Sequence, residues 1–145
     1  MVTHIIRNPN YVDDIHNSFA SQGILRLLGA KLERVEPGYV EVSLPFRQEL
    51  TQHTGFFHAG ATTTIADTAA GYAAFTLIPP QMTVLSVEFK INLLNPAQGE
   101  RLLARGRVLK SGRTLSVCEA SVMAYKENQP IECAHMLQTM ITLPS

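Results

Sequence analysis

One carboxylate in this 145-residue chain stands where its chemistry would change. Asp67 lies within the stretch Gln52 to Phe75, QHTGFFHAGATTTIADTAAGYAAF, and no lysine or arginine occurs between Arg47 and Lys90. The only other acids in that interval are Glu49 and Glu88, so Asp67 has no basic neighbour in sequence. Burial without a cation raises a carboxyl pKa and makes it a better base than a solvated aspartate. A second reagent precedes it. If Phe57, His58, Ala59 and Gly60 begin a helix, their amides lack internal partners and lie at the positive end of its dipole. The Ala59 or Gly60 amide could then polarise a carbonyl oxygen. Asp67 lies about two turns further on, at 3.6 residues per turn, too far for one helix to bring both reagents onto a small group. A carboxylate from a symmetry-related helix could meet that amino end instead, and a twofold dimer would make two such sites.

Other polar residues give thinner signals. His58 is better suited to a structural hydrogen bond at the helix start than to acid–base work, and His53 reads as a loop residue. With Asp67 they match no zinc spacing, so no metal site is expected. Ser86 falls on the polar side of its strand, and neither it nor Ser116 or Ser121 sits in a GxSxG elbow, which argues against a serine triad. Lys110 and Arg113 around Gly112, with Arg105 and Arg107, form the one basic cluster and are the best candidates for holding phosphate.

The elements that must position these groups follow from pattern. Small residues from Ala59 to Ala74 cover every face of the helix, which marks it as buried and lets its backbone approach a neighbour closely. With Asp67 at its middle it falls short of the ~20 apolar residues of a membrane span. Asn8 and Pro9 read as cap and first turn of an earlier helix carrying Ile15 and Phe19, with Gly23 as its stop, and Ile24 to Leu28 add a short run before Gly29. Pro37-Gly38 separates two short strands, the second with Val40, Val42 and Leu44 on one face. After Pro79 and Pro80, the alternation Leu85, Val87, Phe89, Ile91, Leu93 predicts a half-buried strand. Strands then follow over Arg101 to Lys110, with Leu103 and Leu109 on one side, Arg113 to Lys126 and Ile131 to Leu143. Ser111-Gly112 and Asn128-Gln129-Pro130 serve as their turns. Short connections imply antiparallel pairing, in a curled sheet of about five strands wrapped around the one long helix. Its long edges need covering, and a homodimer is expected.

Composition bounds the rest. At 46 % hydrophobic the chain suits a single domain over residues 1–145, with a helical segment over 1–29. Twelve basic and twelve acidic residues cancel, which argues against a nucleic-acid partner. Cys118 and Cys133 read as buried free thiols. With no apolar leader, a cytoplasmic protein without a membrane partner is expected.

Three motifs, FHAGATTTIADTAAGYAA, SVEFKINLLNPA and LKSGRTLSVCEASV, resemble in order and spacing those of the hotdog-fold acyl-CoA thioesterases, in particular the PaaI-like group, from Gly29 onward. The resemblance implies an α+β hotdog fold, with a curled antiparallel sheet around one central helix, and dimers that often pair into homotetramers. It implies hydrolysis of an acyl-CoA thioester to free acid and CoA. The Ala59 amide would polarise the carbonyl, Asp67 would act as general base or nucleophile from the partner subunit, Gln52 would place water or thioester, and Ser86 would support. His58, Gly60, Lys110 and Arg113 would contact substrate, the last two at the CoA phosphates. No cofactor is implied, because coenzyme A belongs to the substrate. The family's usual HGG is His58-Ala59-Gly60 here, and the methyl narrows the approach to the amide. An acyl-CoA sensor without turnover and an enoyl-CoA hydratase or dehydratase are the alternative activities of this fold.

Overall fold

In the computed structural model, which describes residues 2–145, the elements run α1 (Tyr11–Ser21), α2 (Gly23–Leu28), β1 (Lys31–Glu36), β2 (Tyr39–Pro45), α3 (Ala59–Phe75), β3 (Met82–Leu93), β4 (Arg101–Ser111), β5 (Leu115–Lys126) and β6 (Gln129–Pro144). The strands form one antiparallel sheet in the order β1-β2-β4-β5-β6-β3, six rather than about five. The sheet curls around α3, as the residue pattern requires.

Close contact between helix and sheet explains the helix's composition. A Cβ added at Gly106 of β4 would lie 2.2 Å from the carbonyl carbon of Ala69, so the two backbones touch there and no side chain fits between them. Around that point Thr62, Ile65, Ala66, Ala69, Ala70 and Ala73 are buried against alternate residues of the sheet. That inner row holds Val40, Val42 and Leu44 of β2, Ala104 and Val108 of β4, Ala120 and Val122 of β5, and Met136 and Met140 of β6. A fully buried side chain such as Ile65 or Leu102 contributes about 1.5–3 kcal/mol.

Several elements depart from the pattern-based reading. In β4 the inner row is Leu102, Ala104, Gly106 and Val108, not Leu103 and Leu109, and a bulge before Lys110 leaves Leu109 exposed. Asn8 does not cap α1 directly. Its side chain accepts from the Asn10 amide at 2.9 Å and donates to Asp14 at 2.7 Å, building the turn that precedes the helix. Gly23 starts α2 instead of ending a longer helix, because Gln22 is extended, and Gly29 takes the left-handed cap at φ 78°. The β5–β6 turn is Glu127-Asn128, both at positive φ as a two-residue hairpin requires, so Pro130 lies inside β6.

The largest departure is β3. Expected to be half-buried, it is an edge strand whose side chains are mostly exposed, Leu85 at 54 % and Leu93 at 58 %. A bulge between Ser86 and Glu88 also breaks its alternation. Residues paired across antiparallel strands share a face. Ser86 pairs with Met140 and Phe89 with Gln138, so both point to the inner side, while Leu85 and Lys90, opposite Ile141 and Leu137, point away. Val87 is the extra residue, and Ser86 therefore faces α3 rather than the polar side. No helix among the described residues is long and apolar enough to cross a membrane.

Candidate active site

The segment before α3 is fastened at both ends. Phe57 donates its amide to Ala97 at 2.9 Å and His58 donates to Leu50 at 2.8 Å, while Phe57 packs edge-on against Phe46. His58 is the N-cap, and its Nδ1 accepts the Gly60 amide at 2.8 Å. That bond leaves the ring proton on Nε2 and takes the Gly60 amide out of use. Ala59 is the first residue of the helix, and its amide donates to nothing among the described residues. Of the two candidate oxyanion donors, only Ala59 is free. Gln52 stands close by, its side-chain carbonyl held by the Thr54 amide and hydroxyl, and its NH2 meets no acceptor among the described residues. Gln52, His58 and Ala59 line a cavity of about 580 Å³ together with Leu93, Leu94 and Cys133.

Asp67 lines a different cavity, of about 330 Å³. It is half-buried, and its Oδ1 accepts a hydrogen bond from Ser86 Oγ at 2.6 Å and another from Gln138 Nε2. Gln138 also donates to Ser86 Oγ at 3.0 Å. The bulge at Val87 is what makes this possible, since unbroken alternation would turn Ser86 to the other face. Gln138 is fully buried and its Oε1 has no partner among the described residues. An unsatisfied buried acceptor costs about 1–3 kcal/mol. With the amide reversed, that oxygen would face a carboxylate, so the donor must be the group turned to Asp67. At the other end of the cavity the Tyr72 hydroxyl accepts from Gln22 at 2.6 Å and pairs with Ser18 at 2.8 Å, so α1 forms one wall.

The fold thus brings Asp67 to Ser86, and Gln52 to His58 and Ala59, but keeps the two groups in separate cavities of one chain. Both cavities border β3, the first along Thr83 to Ser86 and the second at Leu93. Lys110 and Arg113 line neither. Their side chains sit exposed at the β4–β5 connection without a hydrogen bond or ion pair among the described residues. Among the described residues no group of three His, Cys, Asp or Glu side chains could hold a metal ion. Cys118 and Cys133 are both buried free thiols, and burial pushes their pKa up to about 12 and about 11, away from nucleophilic use.

Gln138 is the residue that pattern reading misses. On β6 the inner residues Ala134, Met136, Gln138 and Met140 are no more apolar than the outer Leu137 and Ile141, so nothing in the strand marks Gln138 as buried. A polar residue flanked at i ± 2 by methionines is the one available hint.

Comparison with known proteins follows the same lines. The thioesterase superfamily matches residues 54–131, just over half of the chain. A solved thioesterase family protein from Silicibacter pomeroyi is 43 % identical and superposes with a TM-score of 0.91, covering 93 % of this chain and 99 % of its own. The 1,4-dihydroxy-2-naphthoyl-CoA hydrolase of Listeria monocytogenes is 26 % identical over 100 residues, 69 % of this chain and 81 % of its own. The PaaI protein of E. coli, from the phenylacetic acid degradation operon, shares the fold at a TM-score of 0.83 and 16 % identity, over 96 % of this chain and 97 % of its own.

Proposed function

This chain belongs to the thioesterase superfamily and is a thioester hydrolase of the hotdog fold, and from that premise we propose that it hydrolyses an acyl-CoA at a site shared between two copies. The observation that carries this reading is the position of the two half-sites at opposite ends of an unpaired strand edge. Antiparallel pairing of β3 with β3 of a second copy, about a twofold near Phe89–Lys90, sets the Ser86 end of one strand against the Leu93 end of the other. Asp67 of one subunit then confronts the Ala59 amide of its partner, twice per homodimer.

In such a site the thioester carbonyl oxygen accepts from the Ala59 N–H, which favours the charge that develops as the carbonyl is attacked. Asp67 serves as general base, taking the proton of the attacking water, or attacks directly to form an acyl–aspartyl anhydride that water then cleaves to the free acid and the regenerated carboxylate. Either way the C–S bond breaks and CoA leaves as a thiolate that takes up a proton. Gln52 offers its free NH2 to water or thioester, and His58, by occupying the Gly60 amide, holds the helix start in shape. Lys110 and Arg113 are proposed to meet phosphates of CoA outside the cavities. The reaction draws on no metal or redox cofactor.

Thiol release from a panel of acyl-CoA esters tests the activity, and a mixed dimer tests the sharing. Asp67→Asn removes the base. Ala59→Pro removes the amide hydrogen at a first-turn position where proline fits, preceded by an extended His58 at ψ 139°. Each variant alone is expected to lose about a hundred- to a thousandfold. In a mixed dimer one site carries both lesions and the other none, so activity returns. No recovery on mixing, with dimers formed, would place both reagents within one chain and defeat the proposal.

A further inference from the structure

We propose that Gln138 is a positioning residue for Asp67, a role that rests on the hydrolytic reading above. Its amide ties down one carboxylate oxygen, so that the other, Oδ2, is the oxygen that meets the reacting water or thioester.

The asymmetry of the amide carries the argument. Gln138 is 0 % exposed, in a row whose neighbours Met136 and Met140 are apolar, and a leucine or methionine would fill its place without stranding an acceptor. All its polar gain comes through Nε2, which donates to Asp67 Oδ1 and, at 3.0 Å, to Ser86 Oγ. The second bond also sets the Ser86 hydroxyl. With the Ser86 oxygen accepting from Gln138, its own hydrogen is free to point at Asp67, where Oγ lies 2.6 Å from Oδ1. Two donors therefore converge on Oδ1, and none among the described residues reaches Oδ2. A buried group retained with an orphaned oxygen reduces stability, and the return is a carboxylate held in one orientation facing the cavity.

Turnover and unfolding together test this. Gln138→Leu is expected to lower kcat about ten- to a hundredfold, with KM within about threefold, because a misdirected carboxylate still leaves the pocket able to bind. Gln138→Glu sets a second carboxyl beside that of Asp67, and such a pair shares one proton. At low pH the introduced carboxyl donates that proton as the amide does, and activity returns. At high pH both groups ionise and activity falls, a dependence absent from Gln138→Leu. The link to Asp67 is read without turnover in a double-mutant cycle with Asp67→Asn on urea unfolding, where non-additivity of about tenfold in the unfolding constant is expected. If no acyl-CoA is hydrolysed but this coupling is found, the hydrolytic reading fails while the tie between Gln138 and Asp67 stands. Additive unfolding effects, with kcat unchanged in Gln138→Leu, overturn the proposal. Gln138→Met carries the same readouts should the leucine variant not fold.

Discussion

The sheet has two free edges, and they are built on opposite plans. The β1 edge is six residues long, with Lys31, Glu33, Arg34 and Glu36 in its run, a bulge between Leu32 and Arg34, and an exposed Arg34–Glu36 ion pair at 2.6 Å. Shortness, charge and a bulge are how a strand edge is kept from pairing with another chain. The β3 edge is twelve residues long and presents Leu85, Val87, Phe89 and Leu93 to solvent. A long apolar edge is stable in water only when something covers it. The two cavities border its two ends, so the edge that lacks protection is also the one across which the proposed site would be assembled.

Breaking that contrast should give the largest effect. Phe89→Asp sets a carboxylate on the inner side of β3 close to the proposed twofold, where its symmetry mate would face it in a desolvated contact. Sedimentation should show monomers, and thiol release should fall at least about a hundredfold, because each chain then keeps an acid and an amide that never meet. Arg34→Glu on the opposite edge should leave both association and turnover unchanged. Equal loss from both variants would erase the distinction between the edges.

The bulges sharpen the comparison on a smaller scale. The β1 bulge twists a charged edge, whereas the β3 bulge at Val87 turns Ser86 inward to donate to Asp67. Ser86→Ala should therefore keep the dimer and lower kcat roughly tenfold, the size of one hydrogen bond to a charged group. A variant as active as wild type would reduce the β3 bulge to a feature of the edge alone.

How far the sequence could be read follows from the same residues. The helix, its acid and the set of partnerless amides at its start were legible because alanine and glycine on every face admit only a buried rod, and because position decides which amides lack partners within the helix; only the His58 side chain on the Gly60 amide singles out Ala59. The phase slip in β3 was not, since one extra residue in a run that alternates from Leu85 to Leu93 leaves the pattern unchanged and shows only in the pairing with β6. Alternation carried unbroken through that run puts Ser86 on the polar face, whereas the bulge turns it inward. Gln138 was hidden because the outer row of β6 is as apolar as its inner row, so only the helix lying across the sheet decides which is core. Helical rise separates Ala59 from Asp67 in the sequence alone, but nothing in the run from Leu85 to Leu93 marks β3, which borders both cavities, as an edge strand.

The smallest effect belongs to the outer face of the sheet, opposite the face that packs on α3. His135 lies between Glu132, at 2.9 Å from Nδ1, and Glu119, at 3.2 Å from Nε2, with Arg107 also paired to Glu119. The hydrogen bond to Glu132 is the largest of the effects that raise its pKa above the ordinary 6.5; partial burial opposes it and Glu119 adds to it. A histidine whose folded pKa is raised contributes stability that is fully present below its unfolded value and is lost as pH rises through the folded one. With 42 % of the side chain exposed, solvent screening keeps that contribution below about 1 kcal/mol. Melting curves of wild type and His135→Gln between about pH 5 and pH 9 should favour wild type at the acid end and converge toward the alkaline end. Association and turnover should match throughout, because His135, although paired with Asn92 of β3, turns its side chain to the outer face, and none of the cluster lines either cavity. A gap that widens as pH rises would mean that the two carboxylates do not hold the imidazolium.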